Sequence, residues 1–263
     1  MKFYSFLLII LIQSLSAQTL LNNPESVAYD GKRDRYLVSN KGDGHIVAID
    51  NQKRMKLLNA SEPSVRGLQV FGDRLYAASD RGVAVIDLVS GETIKVIKIN
   101  GARFLNDIAV DIRGYLYVSD MVGNKIYRIH LRNSYVTVLA AQNLQKPNGL
   151  LYDAKKNCLL VCSMRSQSPI QAVDCETGQV TTLMNTSLSN LGGLARDAAG
   201  FIYVSSWTSN SVYRIDLSAH GSPVLVSRNH DGPADIFIRK VADVLVVPNY
   251  RSNTVDFVSL NKY

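Results

Sequence analysis

The chain repeats one short β-rich unit six times, and this repeat constrains its fold more than any other feature. Each copy opens with a small or acidic residue that is followed by an apolar one. The six opening motifs are Ser26–Asp30, Gly67–Phe71, Asp107–Asp111, Gly149–Asp153, Gly193–Asp197 and Asp235–Arg239. Their first residues lie 41, 40, 42, 44 and 42 positions apart. A period of this length is typical of one blade of a β-propeller.

Further strand-like runs follow each motif and complete the unit. In the third copy they are Leu116–Asp120, Ile126–His130 and Val136–Leu139, rich in β-branched and aromatic residues. Four runs per repeat predict an all-β, six-bladed β-propeller with four-stranded blades, formed as one domain by residues 18–263. The last copy ends without a fourth run after Thr254–Leu260. We therefore expect the segment around Thr19–Leu21 to supply that strand and to close the ring.

The first seventeen residues have the pattern of an export signal. Lys2 precedes an apolar run from Phe3 to Leu15, and the small residues Ser16 and Ala17 follow it. The run is shorter than the roughly 20 apolar residues that a membrane-spanning helix needs. We predict that residues 1–17 are a signal peptide, that the mature protein is secreted or periplasmic, and that it has no membrane contact after cleavage.

The charges and the cysteines exclude some functions and leave one question open. Lys and Arg number 29 against 22 Asp and Glu, a net charge of +7, but the basic residues are scattered. Because no basic stripe is interleaved with aromatic residues, nucleic-acid binding is not expected. Nothing indicates an oligomer, so a monomer is predicted. Cys158 and Cys175 would face each other if 158–163 and 169–175 form a hairpin, and either a disulfide or buried thiols would then result.

Polar residues occupy the position just before four of the six opening motifs, where the inner strands of a propeller meet the central channel. These positions hold Glu25, Arg66, Asn106, Asn148, Gly192 and Ala234, and Asp107 and Asp235 follow two of them directly. Carboxylate and amide oxygens suit a hard cation such as Ca²⁺, and Arg66 suits an anionic group. Ordinary turn residues at a wet channel mouth explain the same pattern without a ligand.

Three of these segments resemble the channel motifs of the regucalcin/gluconolactonase propellers. They are Pro24–Val27, Arg103–Asp107 and Pro147–Leu150. The segment Leu105–Ile108 is also similar to a motif of the paraoxonases, which are related six-bladed lactonases. The resemblance implies a calcium- or zinc-dependent hydrolase of sugar lactones. It further implies that Glu25 and Asn148 are metal ligands and that Asn106 contacts the metal or the substrate, with Arg103 beside it.

The chain departs from the family pattern in the fifth repeat. The family has an acidic metal ligand and proposed general base there, whereas this chain reads Leu191-Gly192-Gly193-Leu194. Asp107, Asp235 or His230 is the substitute base that the sequence offers. Trp207 is the only Trp; it is either an aromatic platform for a ligand at the rim or packing between blades.

Two functions therefore remain open from the sequence. The first is a secreted, divalent-metal-dependent hydrolase of a small lactone or ester at the channel mouth. The alternative is a non-catalytic propeller that binds a small molecule or a protein and has lost the acidic ligand of the fifth blade. Fold alone does not choose between the two, because propellers serve both functions.

Overall fold

Short antiparallel strands form almost all of the regular structure. The computed structural model describes residues 20–218 and 221–260, and the predicted signal peptide and Thr19 lie outside them. Six inner strands begin the blades: β1 (Pro24–Asp30), β5 (Leu68–Phe71), β9 (Leu105–Val110), β13 (Pro147–Asp153), β17 (Leu191–Arg196) and β21 (Phe237–Arg239). Each second strand pairs with its inner strand: β2 (Arg35–Asn40), β6 (Arg74–Ser79), β10 (Tyr115–Asp120), β14 (Cys158–Ser163), β18 (Ile202–Ser206) and β22 (Val244–Asn249).

The third and fourth strands complete the blades toward the outside. The third strands are β3 (Ile46–Ile49), β7 (Gly82–Asp87), β11 (Lys125–His130), β15 (Ile170–Asp174), β19 (Ser211–Ile215) and β23 (Thr254–Ser259). The outer strands are β4 (Met55–Asn59), β8 (Thr93–Ile97), β12 (Tyr135–Ala140), β16 (Val180–Met184) and β20 (Val224–Arg228). Within the described ranges the only helix is a 3-10 turn at Lys240–Ala242, so no helix there is long and apolar enough to cross a membrane.

The six sheets form a closed ring. Each inner strand contacts the inner strand of the next blade, and β21 contacts β1. A separate hydrophobic cluster fills every junction between neighbouring blades, because alternate residues of each strand face opposite sides of their sheet. The predicted six-bladed, all-β propeller is therefore confirmed.

The N-terminal segment joins the first and last blades. In the described part of the chain the sixth sheet has three strands, β21 to β23, and Leu20 and Leu21 belong to no strand. Leu21 is buried in the cluster that contains Val27 of β1 and Val246 of β22. Asn23 adds two hydrogen bonds to blade six: its backbone N–H donates to Asn253 Oδ1 (2.7 Å) and its side-chain amide donates to the backbone oxygen of Tyr250 (3.0 Å).

All three cysteines are buried free thiols. The expected hairpin of β14 and β15 forms, but its register pairs Cys158 with Asp174 rather than with Cys175. Since neighbouring residues of a strand point to opposite faces, Cys158 packs toward blade five and Cys175 toward blade three. Of the two alternatives that the sequence left open, the structure has the buried thiols.

Candidate functional site

The residues at the start of each inner strand form two levels along the channel. We call the residues before the opening motifs the mouth residues: Glu25, Arg66, Asn106, Asn148, Gly192 and Ala234. We call the first residues of the motifs the waist residues: Ser26, Gly67, Asp107, Gly149, Gly193 and Asp235. Backbone hydrogen bonds join a waist residue of one blade to a mouth residue of the next. Gly67 N donates to Asn106 O (2.7 Å), and Asp235 N donates to Glu25 O (2.9 Å).

Glycines let the inner strands approach one another closely at the waist. A Cβ atom on Gly193 would lie 2.5 Å from the Cα of Asp235, and one on Gly149 would lie 2.7 Å from the Cα of Gly193. A Cβ on Gly67 would lie 2.5 Å from the Cα of Asp107. Real Cβ atoms do not approach backbone this closely, so these glycines are required by packing between the inner strands of adjacent blades.

Second-strand serines fix the waist residues. Ser119 Oγ accepts a hydrogen bond from the backbone N–H of Asp107 (2.9 Å) and donates to the backbone oxygen of Asn148 in the next blade (2.7 Å). Ser205 Oγ makes the same two contacts, with Gly193 N (2.9 Å) and with the oxygen of Ala234 (2.7 Å). One hydroxyl thus positions its own inner strand and the entrance of the following one.

The two waist carboxylates are held by hydrogen bonds from neighbouring blades. Asp107 accepts backbone N–H groups from Ile108 (2.7 Å) and Leu150 (2.6 Å), and Asp235 accepts the hydroxyl of Ser26 (2.6 Å). Burial is the main cause that raises the pKa of both carboxyl groups. The negative charge of Glu25 also raises both pKa values, and the charge of Asp107 raises that of Asp235.

Asp107 and Asp235 do not share a cavity with the predicted metal ligands. They line a cavity of about 250 Å³ whose other walls include Tyr29, Val70 and Ile238, on the far side of the waist from the mouth. None of the mouth residues lines this cavity. The charge of Glu25 raises the pKa of both carboxyl groups, so the two candidate bases lie within electrostatic reach of the mouth.

The side chains of the two mouth asparagines are hydrogen-bonded to each other. The side-chain amide of Asn106 donates to Asn148 Oδ1, and the amide of Asn148 donates to the backbone oxygen of Leu191 (2.8 Å). Both residues are buried, whereas Glu25 is partly exposed. Burial raises the pKa of the Glu25 carboxyl group, and the nearby positive charges of Lys41 and Arg66 act in the opposite direction.

Arg66 is buried beside the mouth with an incomplete set of partners. Its side chain is 1% exposed, and its guanidinium carbon lies 4.4 Å from the centre of the Phe104 ring. Nε donates to the backbone oxygen of Leu105, and Nη1 pairs with Asp80 Oδ1 at 2.8 Å. Nη2 has no hydrogen-bond partner among the described residues.

The residues present do not make a complete site for the divalent cation that the sequence pattern implies. Glu25 supplies the single carboxylate, against the positive charges of Lys41 and Arg66, and the Asn148 oxygen is already engaged by Asn106. In the described ranges no group of three or more His, Cys, Asp and Glu residues is placed to hold a metal. A hard cation such as Ca²⁺ normally takes 6–8 oxygens, several of them charged.

Gly192 occupies the position of the missing acidic ligand, and its surroundings leave no room for a side chain. A Cβ atom there would lie 2.7 Å from Ser205 Oγ and 2.8 Å from the backbone oxygen of Ala234. An aspartate would require these neighbours to move, including a backbone carbonyl. The change from the family pattern therefore affects the packing around this position as well as the ligand.

The rim residues form an aromatic and cationic cluster. Trp207 and Tyr250 have ring centres 5.2 Å apart, and the Arg251 guanidinium lies 5.1 Å from the Trp207 ring. Lys41 Nζ lies 5.2 Å from the Tyr250 ring and 5.5 Å from the Phe104 ring. Cations at these distances are attracted to the ring faces. Trp207 therefore contacts blade six and also contributes to the rim.

His230 lies between blades five and six, and its hydrogen bonds are with Asn210, Ser227 and Asp256. The residue is 4% exposed, its Nδ1 is 2.8 Å from Asp256 Oδ2, and its Nε2 is 2.8 Å from Ser227 Oγ. Both ring nitrogens are therefore engaged. The structure does not bring this histidine together with Glu25, Asn106 and Asn148.

Sequence reasoning missed the residues that hold the site in place. Asp120 accepts the backbone N–H groups of Arg103 (2.9 Å) and Phe104 (2.8 Å), which fixes the loop that enters β9. The recurring Ser at the end of the second run, as in Ser119 and Ser205, was the available signal. Arg103 itself is exposed.

Comparison with known proteins agrees with this architecture. The sequence profile of the SMP-30/gluconolactonase/LRE-like region matches residues 23–222. No curated protein matches the chain. A gluconolactonase from Xanthomonas campestris is similar in structure, with a TM-score of 0.75 and 16% identity over 88% of this chain and 84% of that one. A protein of unknown function from Bacteroides thetaiotaomicron has a TM-score of 0.74 and 14% identity over 89% of this chain and 68% of that one.

The profile match covers four blades and three strands of the fifth, and it includes Glu25, Asn106 and Asn148 of the mouth. It therefore spans most of the propeller together with the segments that first indicated a resemblance. The chain belongs to the SMP-30/gluconolactonase/LRE-like family.

Proposed function

We propose that this protein is a ligand-binding member of its family that takes a small polar molecule at the channel mouth without hydrolysing it. One observation carries the proposal: Gly192 stands where the family has an acidic metal ligand, and its surroundings exclude a side chain. The positive charges of Lys41 and Arg66 act on Glu25, whose own charge acts on Asp107 and Asp235. The two cations beside Glu25 support a polar or anionic ligand at the mouth.

The rim supports a ligand with a flat or sugar-like face. Trp207 and Tyr250 present aromatic surface beside Lys41 and Arg251. Aromatic rings with an adjacent hydrogen-bonding group are a common way to hold a sugar or a lactone ring. The similar protein from Xanthomonas campestris is a gluconolactonase, so D-glucono-1,5-lactone and its open-chain acid are the first ligands to test.

The second candidate is the metal-dependent hydrolase of a small lactone or ester that the sequence predicts. Family membership favours it, as do Glu25, Asn106 and Asn148 at three of the blade entrances. In this candidate those residues hold a divalent cation, most simply Ca²⁺. Asp107 and Asp235, at the waist and with raised pKa values, would be its candidate bases.

A thermal melt of the chelated protein distinguishes the two functions. Ca²⁺, Zn²⁺ or Mg²⁺ is added back, and D-glucono-1,5-lactone hydrolysis is followed above the spontaneous rate. We expect no metal-dependent rise in Tm and no catalysis, together with a Tm rise on adding the lactone or gluconate. A ligand present at a hundred times its Kd stabilises the folded protein by about 2.7 kcal/mol. A Ca²⁺-dependent rise that disappears in Glu25→Gln, with turnover lost in parallel, would establish the hydrolase instead.

We also propose that the mature protein is an exported monomer that begins at Gln18. The pattern of residues 1–17 supports export. N-terminal sequencing of the protein from the culture medium or periplasm, with size-exclusion chromatography coupled to light scattering, tests both points. A cytoplasmic product that retains Met1, or a dimer mass, would contradict them.

A further inference from the structure

Blade six ends in a strand whose outer edge is open. In the described ranges its sheet consists of β21, β22 and β23, whereas each of the other five blades has a fourth strand. The residues of β23 are exposed or half-buried along its whole length. The third strands of the other blades are mostly buried, and only their outer strands resemble β23 in exposure. By its burial, therefore, β23 is the outer strand of its blade.

The backbone of β23 has hydrogen-bonding groups that point away from its sheet. Pro248 of β22 lies opposite Val255, and the backbone oxygen of Pro248 accepts the N–H of Ala234 on the side away from β23 (3.0 Å). Pro248 therefore makes no ladder bond with Val255, and the N–H and C=O groups of Val255 face outward. Because this direction alternates along a strand, the same groups of Phe257 also lie on the open edge.

Apolar side chains of blades one and six flank the open edge. Val255 and Phe257 pack partly against the cluster that fills the junction between these blades. On β4, Met55 and Leu57 are 40% and 41% exposed. Both face the same junction, because their cross-strand partners on β3 belong to that cluster. We call the open edge of β23 together with these two side chains of β4 the blade-six edge.

One positive charge beside the blade-six edge has no carboxylate partner. Lys53 is exposed, its Nζ lies over the aromatic ring of β23, and it makes no ion pair with any described residue. Two other basic residues of this junction are paired, Arg54 with Asp50 (2.7 Å) and Arg239 with Asp34 (2.8 Å). The carboxylate of β23 itself, on Asp256, faces the other side of the sheet and contacts His230 (2.8 Å). The apolar side of the edge thus carries one free positive charge.

The N-terminal segment of the mature chain that we propose is too short to cover this edge. The connections from an outer strand to the next inner strand range from six residues (141–146 and 185–190) to eight (60–67 and 229–236). A strand joined to Pro24 in the same way would end at residues 15–17, inside the predicted signal peptide. In a chain that begins at Gln18, only Gln18 and Thr19 precede Leu20. On this point the inference rests on the proposed export.

We propose that the blade-six edge binds an extended segment of a partner protein, which becomes the fourth strand of blade six. The outward N–H and C=O groups of Val255 and Phe257 supply main-chain hydrogen bonds to that segment. Its apolar residues at alternate positions pack against Met55 and Leu57, and an acidic residue on the same face pairs with Lys53. The edge therefore selects a segment in which apolar and acidic residues share one face.

Amide hydrogen exchange, measured by NMR on the whole protein beginning at Gln18, tests whether the edge is open. We expect the amides of Val255 and Phe257 to exchange about tenfold faster than those of Asp256 and Val258, which point toward β22. Equal protection of the four amides would show that the edge is covered and would overturn the inference. Because this protein is produced without residues 1–17, the result does not depend on whether the cell exports it.

A labelled peptide, Thr-Glu-Thr-Val-Thr-Val-Thr with a blocked C-terminus, is the probe for strand addition. Its glutamate and valines share one face, and antiparallel pairing places the glutamate at the end near Lys53. Fluorescence anisotropy should show saturable binding. The same peptide N-methylated at its two valines has lost the donors that face β23 and should not bind. Lysine in place of the glutamate should weaken binding about threefold.

Variants of the protein separate the backbone contribution from the charge. Val255→Pro removes an outward N–H and no ladder bond with β22, so we expect an affinity about tenfold weaker. Val255→Thr keeps the N–H and is the matched control. Lys53→Gln should weaken binding about threefold. Lys56→Gln should not, because Lys56 pairs across the strands with Ala48, which faces blade two.

Equal affinities of Val255→Pro and Val255→Thr would overturn the inference, as would binding of the N-methylated peptide or the absence of saturable binding. Slow exchange of the Asp256 amide in Val255→Pro checks that blade six is still folded. A dimer of the mature protein that Val255→Pro separates would make a second copy the occupant and would also overturn it. The Tm rise with D-glucono-1,5-lactone should be the same in Val255→Pro as in the parent, so the proposed function at the mouth is tested separately.

Discussion

At the scale of single residues, the waist glycines have the most direct consequence for stability. In Gly193→Ala the new methyl group would lie 2.5 Å from the Cα of Asp235, and backbone atoms cannot move aside as a flexible side chain can. We expect a loss of about 3 kcal/mol in the free energy of unfolding, measured by urea denaturation. Gly221→Ala, where the added Cβ meets nothing within 4 Å, is the control and should change the value by less than about 0.5 kcal/mol. Equal stabilities of the two variants would contradict close packing at the waist.

The cysteines allow a second test at this scale. Burial raises the pKa of the Cys158 thiol and raises that of Cys175 to about 11, so very little thiolate is present at pH 8. We expect three reactive thiols per chain in denaturant without a reducing agent, and almost none in the native protein. A thiol reagent such as Ellman's reagent measures both. A count of one thiol in denaturant would mean that two cysteines are joined.

These residues also show where sequence reasoning reaches its limit. The hairpin that brings Cys158 near Cys175 was predictable from its strand pattern and turn. Its register was not, and a shift of one residue placed the two thiols on opposite faces. Likewise the sequence revealed that an acidic residue is missing at Gly192. Only the structure shows that carbonyl oxygens from blade six crowd this position.

At the scale of elements, Ser119 connects blade three to blade four and Ser205 connects blade five to blade six. Ser119→Ala removes a donor and an acceptor at once, which leaves Asp107 N and the oxygen of Asn148 without their partner. We expect a loss of about 1–3 kcal/mol in the free energy of unfolding. Ser222, an exposed serine, is the control for the same substitution. A Ser119 variant as stable as the Ser222 variant would show that the cross-blade contacts are dispensable.

The elements themselves were the most predictable part of the molecule. The period and the alternation of β-branched residues predicted the number of blades and the order of strands, because both follow from local pattern. The hydrogen bonds between blades were harder to predict from the sequence. Ala78 and Cys162 stand where Ser119 and Ser205 stand in their own blades, so the serine pattern is interrupted along the chain. Its role becomes visible only when neighbouring inner strands are in place.

At the scale of the whole molecule, the N-terminal segment stabilises the junction between blades one and six. Asn23 has a positive φ of 50° and donates two hydrogen bonds to blade six. Asn23→Gly keeps the backbone conformation accessible while it removes the side-chain bond to Tyr250, so we expect a loss of about 1 kcal/mol in the free energy of unfolding. Gln52→Ala, an exposed position, is the control in the same urea titration. An unchanged value for Asn23→Gly would show that Leu21 and the strand contacts close the ring without it.

The sequence predicted which positions form the site, but it did not predict the geometry of the site. Counting back from each motif identified the six mouth residues, because every blade enters the channel in the same way. Asp107 and Asp235 were offered as substitute bases because each directly follows a mouth position. The structure places both at the waist, where they line the cavity of about 250 Å³ and where the charge of Glu25 raises their pKa values.

The waist glycines let neighbouring inner strands meet at backbone distance, and the adjoining cavity of about 250 Å³ has no mouth residue in its wall. A substitution at the mouth therefore replaces no residue of that cavity wall, so the two levels can change in sequence separately.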